Sequence, residues 1–580
     1  MRKSIAILSL AAGATLLGAR MPDRRVVLVH IGDLHGHLVP RPELRAAAGR
    51  SVGGIARIAT AIGRIRAAHP GSTIVVNTGD AVQGSAEALF TRGGAIVSAI
   101  NLLGVDASAP GNWDYAYGTE RFLETFAPAD GSAPLAPWHQ LAANLHYSTL
   151  AEDSSTPYAS RAGQPVLPSY RLVVAGGVRV GIIGLTTSRG LRIMGPAITK
   201  GFTFTTGDAE LPGLIAELRE TQRADLIVVT SELELANNVR LAESCAGIDV
   251  ILSADMHERT ARPIVTRGGT VIVEEGQDGA QVGELELDVA PRGGIARWRW
   301  TAHEMTDGVP EDAAVARRVA ELRAPFLDAG VARAMRNPVN GARLRGALDA
   351  VVGTTAVPLH RAGYTSESMP AVLEGTSHDL IADAMREEAH ADIAILRGFR
   401  FGTQVAAGPV TRADLYHFLP VGMQVARVSG VRGAQLARVI ETCLAGVFDS
   451  DPRHWTGGWV FAFSGMTFEV DPYVGVGSRA SNIRVHGAPL DTAALYSVAG
   501  TWFAAEPRAI NGCTACVARD ARVDVIRDER GDTLDATDVV ERYFASLSGA
   551  AARPPAPRVT LRRALPPAQY GNSVLQPLPP

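Results

Sequence analysis

Short β-branched runs, each closing on a residue able to bind a metal, constrain this chain more than any other feature of its sequence. Val26 to His30 reads as a strand whose end delivers Asp33 and His35, and Thr73 to Asn77 as one whose end delivers Asp80. Ala107 to Ala109 leads into Asn112, Asp225 to Thr230 into Glu232, and Asp249 to Leu252 into Asp255 and His257. Helical stretches separate these runs; Ile55, Ile58, Ile62 and Ile65 recur at spacings of three and four and form one apolar stripe. Strands alternating with helices predict an α/β layered domain, and layered sheets of this kind gather their sites at strand ends. One Asp or Asn after a strand commonly just starts a turn. Five strand ends carrying carboxylate, imidazole or amide groups point instead to a metal site.

Asp33, His35, Asp80, Asn112, Glu232, Asp255 and His257 make seven donors, too many for one tetrahedral ion. Two ions sharing a bridging carboxylate fit better, and a set dominated by oxygen favours manganese, with magnesium, zinc, iron and calcium open. The glycines of Gly32-Asp33, Gly79-Asp80 and Gly111-Asn112 are expected to supply the backbone freedom that turns each donor inward.

Composition removes several alternatives. Fifty-six basic against 59 acidic residues leave a net charge of −3 over 580 residues, so binding of nucleic acid or a membrane surface through bulk charge is not expected. Lys3 and Lys200 are the only lysines and neither lies in a glycine-rich loop, which excludes P-loop and Schiff-base chemistry. Arg2 and Lys3, the apolar run Ile5 to Leu17 and the small pair Gly18-Ala19 read as a Sec-type leader over residues 1–22, predicting a periplasmic or secreted protein without a membrane span. Four cysteines are too few for a disulfide framework, and Cys513 and Cys516 read as a local disulfide or two idle thiols.

Asp33-x-His35, Gly79-Asp80, Gly111-Asn112 and Asp255-x-His257, in this order, resemble the dinuclear metallophosphoesterases of the 5'-nucleotidase superfamily. Val352-Gly353-Thr354-Thr355, Leu380 to Ala384, Gly398 to Gly402 and Gly457-Gly458-Trp459 resemble that family's C-terminal domain. The resemblance implies a four-layer α/β/β/α sandwich over 24–305 and a C-terminal α/β substrate domain over 348–548; the Ala- and Arg-rich stretch 306–347 between them reads as a helical linker, and the prolines of 549–580 mark a tail without regular structure. The resemblance makes Asp80 the metal-bridging carboxylate, with Asp80 and Asn112 catalytic. Phe399 and Arg400 would grip the substrate anion, and Trp459 with Trp502 would sandwich a nucleobase; the neighbouring Phe503 reads as core.

Three departures separate this chain from the family pattern. Trp113 stands where a general-acid histidine is usual, and an indole has no proton to give at neutral pH. Glu232 and Asp255 stand where histidine ligands are usual. Gly111 to Tyr115 and Phe448 to Pro452 further resemble the thiosulfohydrolase branch of the bacterial Sox sulfur-oxidation system. The expected function is hydrolysis of nucleotide phosphoesters by a metal-bound hydroxide. One alternative is release of sulfate from a cysteine S-thiosulfonate on a sulfur-carrier protein, and the other a non-catalytic, metal-stabilised anion-binding protein.

Overall fold

The computed structural model describes residues 24–43, 50–360, 373–397, 404–455, 460–504, 507, 509–511, 522–554 and 557–564. The leader, Phe399, Arg400, Trp459 and the Cys513/Cys516 pair lie outside the described residues. Among the described residues no helix is long and apolar enough to cross a membrane.

Two sheets pack face to face in the N-terminal half. The first runs in the order Ile295–Glu304, Gln281–Val289, Arg25–Gly32, Thr73–Thr78 and Ala107–Ala109. The second runs in the order Ile264–Val265, Val271–Val273, Val250–Ser253, Leu226–Ser231, Val178–Leu185 and Tyr170–Ala175. Arg25–Gly32 pairs in parallel with Thr73–Thr78, matching Val29 to Val75, and antiparallel with Gln281–Val289, matching Val26 to Leu287. Alternation along each strand then divides its side chains between two cores. Val26 and Leu28 join Val180, Val228 and Val250 between the sheets, whereas Val27, Val29 and Ile31 face Ile55, Ile58, Ile62 and Ile65 of the helix Ile55–Ala68. Ile183, Ile227 and Ile251 turn to the helices on the far side. The result is the α/β/β/α sandwich, and burial on both faces explains why inner strands such as Arg25–Gly32, Leu226–Ser231 and Val250–Ser253 are largely apolar.

The C-terminal half is built on a five-stranded sheet ordered Ala462–Ser464, Ile393–Leu396, Leu495–Trp502, Gln424–Arg432 and Val523–Val525. Between the halves, the stretch expected to be helical is so only over Ala313–Leu327 and Ala329–Ala334, capped by the carboxylates of Asp312 and Asp328. Pro338, Gly341 and Gly346 follow and disfavour further helix.

The tail departs from expectation. Val559–Leu561 forms a strand parallel to Met466–Val470, matching Val559 to Phe468, and Ala552 bridges to Thr355. Pairing is allowed because no proline falls within Val559–Leu561, so the amides of that segment stay free to donate. Arg558 anchors the segment: its buried guanidinium donates to Asp383 at 2.7 Å and to the Phe463 carbonyl at 2.6 Å. Arg558→Ala leaves the Asp383 carboxylate to the Ser464 hydroxyl and should destabilise the protein by about 3 kcal/mol, measured by urea unfolding.

Candidate metal centre

All seven expected donors meet at one end of the sandwich, each between 0% and 7% exposed. Their loops are stitched together by backbone. Asp33 N–H donates to the Gly79 carbonyl at 3.2 Å and His35 N–H to that of Asp80 at 2.8 Å. Asp114, which sequence reading passed over, accepts from Ala81, Val82 and Gly111 N–H at 3.0, 3.1 and 2.9 Å and so locks the Asp80 and Asn112 loops in one arrangement. Burial raises the Asp114 carboxyl to about 6 against these three donors.

Glycine acts differently from expectation at two of the three steps. Only Gly79 has a positive φ, at 59°; the residues in the left-handed region are the donors Asp33, His35, Asp80, Asp255 and His257, at 46°, 44°, 44°, 95° and 59°. Gly111 is needed for space, because a Cβ there would lie 2.1 Å from Asp80 Oδ1, and one on Gly79 would lie 2.3 Å from Glu232 Oε1.

Nε2 of His35 and Nε2 of His257 face each other at 2.9 Å, with Asp33 Oδ1 at 3.6 and 3.7 Å from them. Ligand atoms of Asp33, His35 and His257 fall within 4.8 Å of one another, as do those of Asp33, Asp80 and Glu232. Asp33 Oδ1 and both Glu232 carboxylate oxygens are buried without a hydrogen-bond partner. The Asn112 amide lies against Asp255 Oδ1 at 3.1 Å and Asp80 Oδ2 at 3.3 Å. With its nitrogen inward it donates to both; with its oxygen inward the three oxygens make a cluster that only a cation would hold together. Orphaned carboxylate oxygens beside converging imidazoles fit divalent metal ions.

One cation is already present. Arg189, buried beyond the end of Val178–Leu185, donates to Asp255 Oδ2 at 2.5 Å and lies 2.8 Å from Glu234 Oε2. Burial opposes its charge, but Glu234 and Asp255 hold its proton above the usual arginine range. Sequence reading missed both Arg189 and Glu234, whose pairing joins segments 45 residues apart. Arg189 also donates to the Trp455 carbonyl at 3.3 Å, and Arg192 donates to it at 2.8 Å, tying the centre to the C-terminal half. His417 from that half stacks on His37, with centroids 4.3 Å apart. Trp113 packs against the C-terminal core with Phe503, while its backbone N–H donates to Asp80 Oδ1 at 2.7 Å. Trp502 is half-buried on the same half and its indole donates to the Pro507 carbonyl at 3.2 Å.

Burial, then the charge of Asp80, pushes the Asp33 and Glu232 carboxyls well above the usual carboxylate range. A raised folded pKa stabilises the folded state below the unfolded value of about 4, and that contribution is lost as pH rises toward the folded value. Divalent ions bound at these carboxylates would replace those protons, so the rise in Tm on adding Mn2+ to chelator-stripped protein should be larger at pH 8 than at pH 5.5. Arg189→Met leaves Asp255 and Glu234 buried without their cation and should cost about 3–5 kcal/mol by urea unfolding.

Comparison with known proteins follows the same division of the chain. Residues 351–508 match the family model for the 5'-nucleotidase C-terminal domain. A probable 5'-nucleotidase of Treponema pallidum is 27% identical over 269 residues, 45% of this chain and 42% of that protein, so the match spans under half its length. Among solved structures, the sulfate thiohydrolase SoxB of Thermus thermophilus superposes with a TM-score of 0.75 at 21% identity, covering 93% of this chain and 96% of that one. A 5'-nucleotidase precursor from Thermus thermophilus superposes with a TM-score of 0.72 at 22% identity, covering 93% and 99%. Residues 351–508 thus carry a 5'-nucleotidase C-terminal domain, and the chain as a whole shares the two-domain fold of these solved structures.

Proposed function

We propose that the chain is an exported hydrolase of phosphoesters, nucleotides foremost, that works with two divalent metal ions. The carrying observation is the pair of overlapping donor groups that share Asp33, with three buried carboxylate oxygens lacking any hydrogen-bond partner. Asp33, His35, Asp80 and His257 would hold one ion, and Asp33, Asp80, Asn112, Glu232 and Asp255 would line the other; manganese is the first choice, with magnesium, zinc, iron and calcium open. Bound there, such ions supply Lewis-acid charge to a phosphoryl group and make water acidic enough to serve as a nucleophile near neutral pH.

The protein's own groups orient and enclose. Trp113 N–H fixes one oxygen of Asp80, leaving the other directed at Asn112. Asn112 would support negative charge as it grows on the substrate. Phe399 and Arg400 would grip the anion from the C-terminal half, with Trp459 and Trp502 stacking on a base. Trp113 brings no acid to the leaving group, so leaving groups of low basicity are favoured. The leader-like sequence over 1–22 supports export to the periplasm or beyond.

Trp113 also supports a second reading, release of sulfate from a cysteine S-thiosulfonate on a sulfur-carrier protein. A thiol-type leaving group needs no proton, and the SoxB fold is shared over 93% of this chain.

Phosphate release from a nucleotide panel by Mn2+-reconstituted protein, beside an Asp80→Asn blank, separates these readings. Release that falls to background in Asp80→Asn is the expected result. Two bound ions with release of sulfate alone from a thiosulfonate donor would move the assignment to the second reading. Two bound ions without either product would leave an anion-binding protein.

A further inference from the structure

We propose that the two cation positions are chemically unequal: one selects a transition-metal ion through paired imidazoles, and the other, lined by oxygen alone, selects a hard ion such as Mg2+. The inference rests on the dinuclear reading above and assigns each ion its chemistry.

The first position is defined by the 2.9 Å approach of His35 Nε2 to His257 Nε2, with Asp33 Oδ1 behind both. Two imidazole nitrogens aimed at one point suit zinc, iron or manganese more than magnesium or calcium. The second donor group, Asp33, Asp80 and Glu232, offers oxygen only. Asp80 Oδ2 and Asp255 Oδ1 flank the Asn112 amide at 3.3 and 3.1 Å, and Glu232 brings two buried oxygens without partners. Carboxylate and amide oxygens suit hard ions and discriminate weakly in favour of zinc.

Arg189 sets the charge of the second position. It occupies Asp255 Oδ2 at 2.5 Å and so leaves Oδ1 as the oxygen turned toward Asn112. Its charge offsets Glu234, which it meets at 2.8 Å. Asp33, Asp80, Glu232 and Asp255 then carry four negative charges, the number two divalent ions neutralise. A third or fourth imidazole would have lowered that number, and the acids at 232 and 255 instead make the second position both harder and more strongly anionic.

The test is calorimetric titration of chelator-stripped full-length protein with Zn2+, without and with a large excess of Mg2+, followed by metal analysis after gel filtration. The expected result is one tight Zn2+ step that Mg2+ leaves unchanged, a second step weaker by at least about tenfold that Mg2+ abolishes, and one zinc with one magnesium recovered. His257→Asn should remove the tight step and keep the Mg2+-sensitive one; Glu232→Gln should do the reverse. Two indistinguishable Zn2+ steps, both surviving excess Mg2+, would overturn the inference while leaving the dinuclear reading intact. Absence of any binding would overturn both, and the wild-type titration decides the matter even where a variant does not fold.

Discussion

The donor end of the sandwich is governed by the burial of Asp33, Asp80, Glu232, Glu234 and Asp255 together with a single guanidinium, that of Arg189. Withdrawing an ionised carboxylate from water is expensive unless it is paired, and Arg189 can pair with only two of them. The remaining acids are held in place by the fold and not by their own attraction. Backbone bonds from Asp33 and His35 to the Asp80 loop, and the three N–H groups converging on Asp114, keep them from separating. Such an arrangement stores electrostatic repulsion that protons or cations relieve, which couples the stability of the fold to occupation of its centre.

The sandwich accounts for why such a cluster forms here. Strand pairs in parallel register end at the same level, so Gly32, Thr78 and Ala109 bring their following loops side by side. The second sheet contributes Ser231 and Ser253 in the same way. With both sheets covered by helices, their apolar interiors brace a polar rim, and the C-terminal half closes over that rim through Trp455, His417 and the core that receives Trp113.

Much of this was legible in the sequence, for identifiable reasons. A strand buried on both faces must be apolar throughout, so a ligand-type residue directly after it stands out; that is how Asp33, Asp80, Asn112, Glu232 and Asp255 could be read. Arg189 and Glu234 escaped because their meaning lies in a contact between segments 45 residues apart, which no local pattern marks. The Glu232-x-Glu234 spacing was the available hint, since two acids entering one buried place call for a cation. The tail was misread because three residues, Val559–Leu561, suffice to add a strand when a partner edge is waiting, and a proline count says nothing about that edge.

The left-handed backbone at Asp33, His35, Asp80, Asp255 and His257 carries a consequence for how this centre can change over generations. Aspartate, asparagine and histidine tolerate that conformation better than most side chains, and β-branched residues do not. Glycine apart, the residues this backbone accepts best are among those a metal accepts. An inherited replacement that survives folding there therefore tends to remain a ligand, trading nitrogen for oxygen instead of losing the ion. Drift at such a centre retunes which metal is held before it abolishes metal binding, and a histidine-to-aspartate exchange at 255 is the kind of step such a backbone permits.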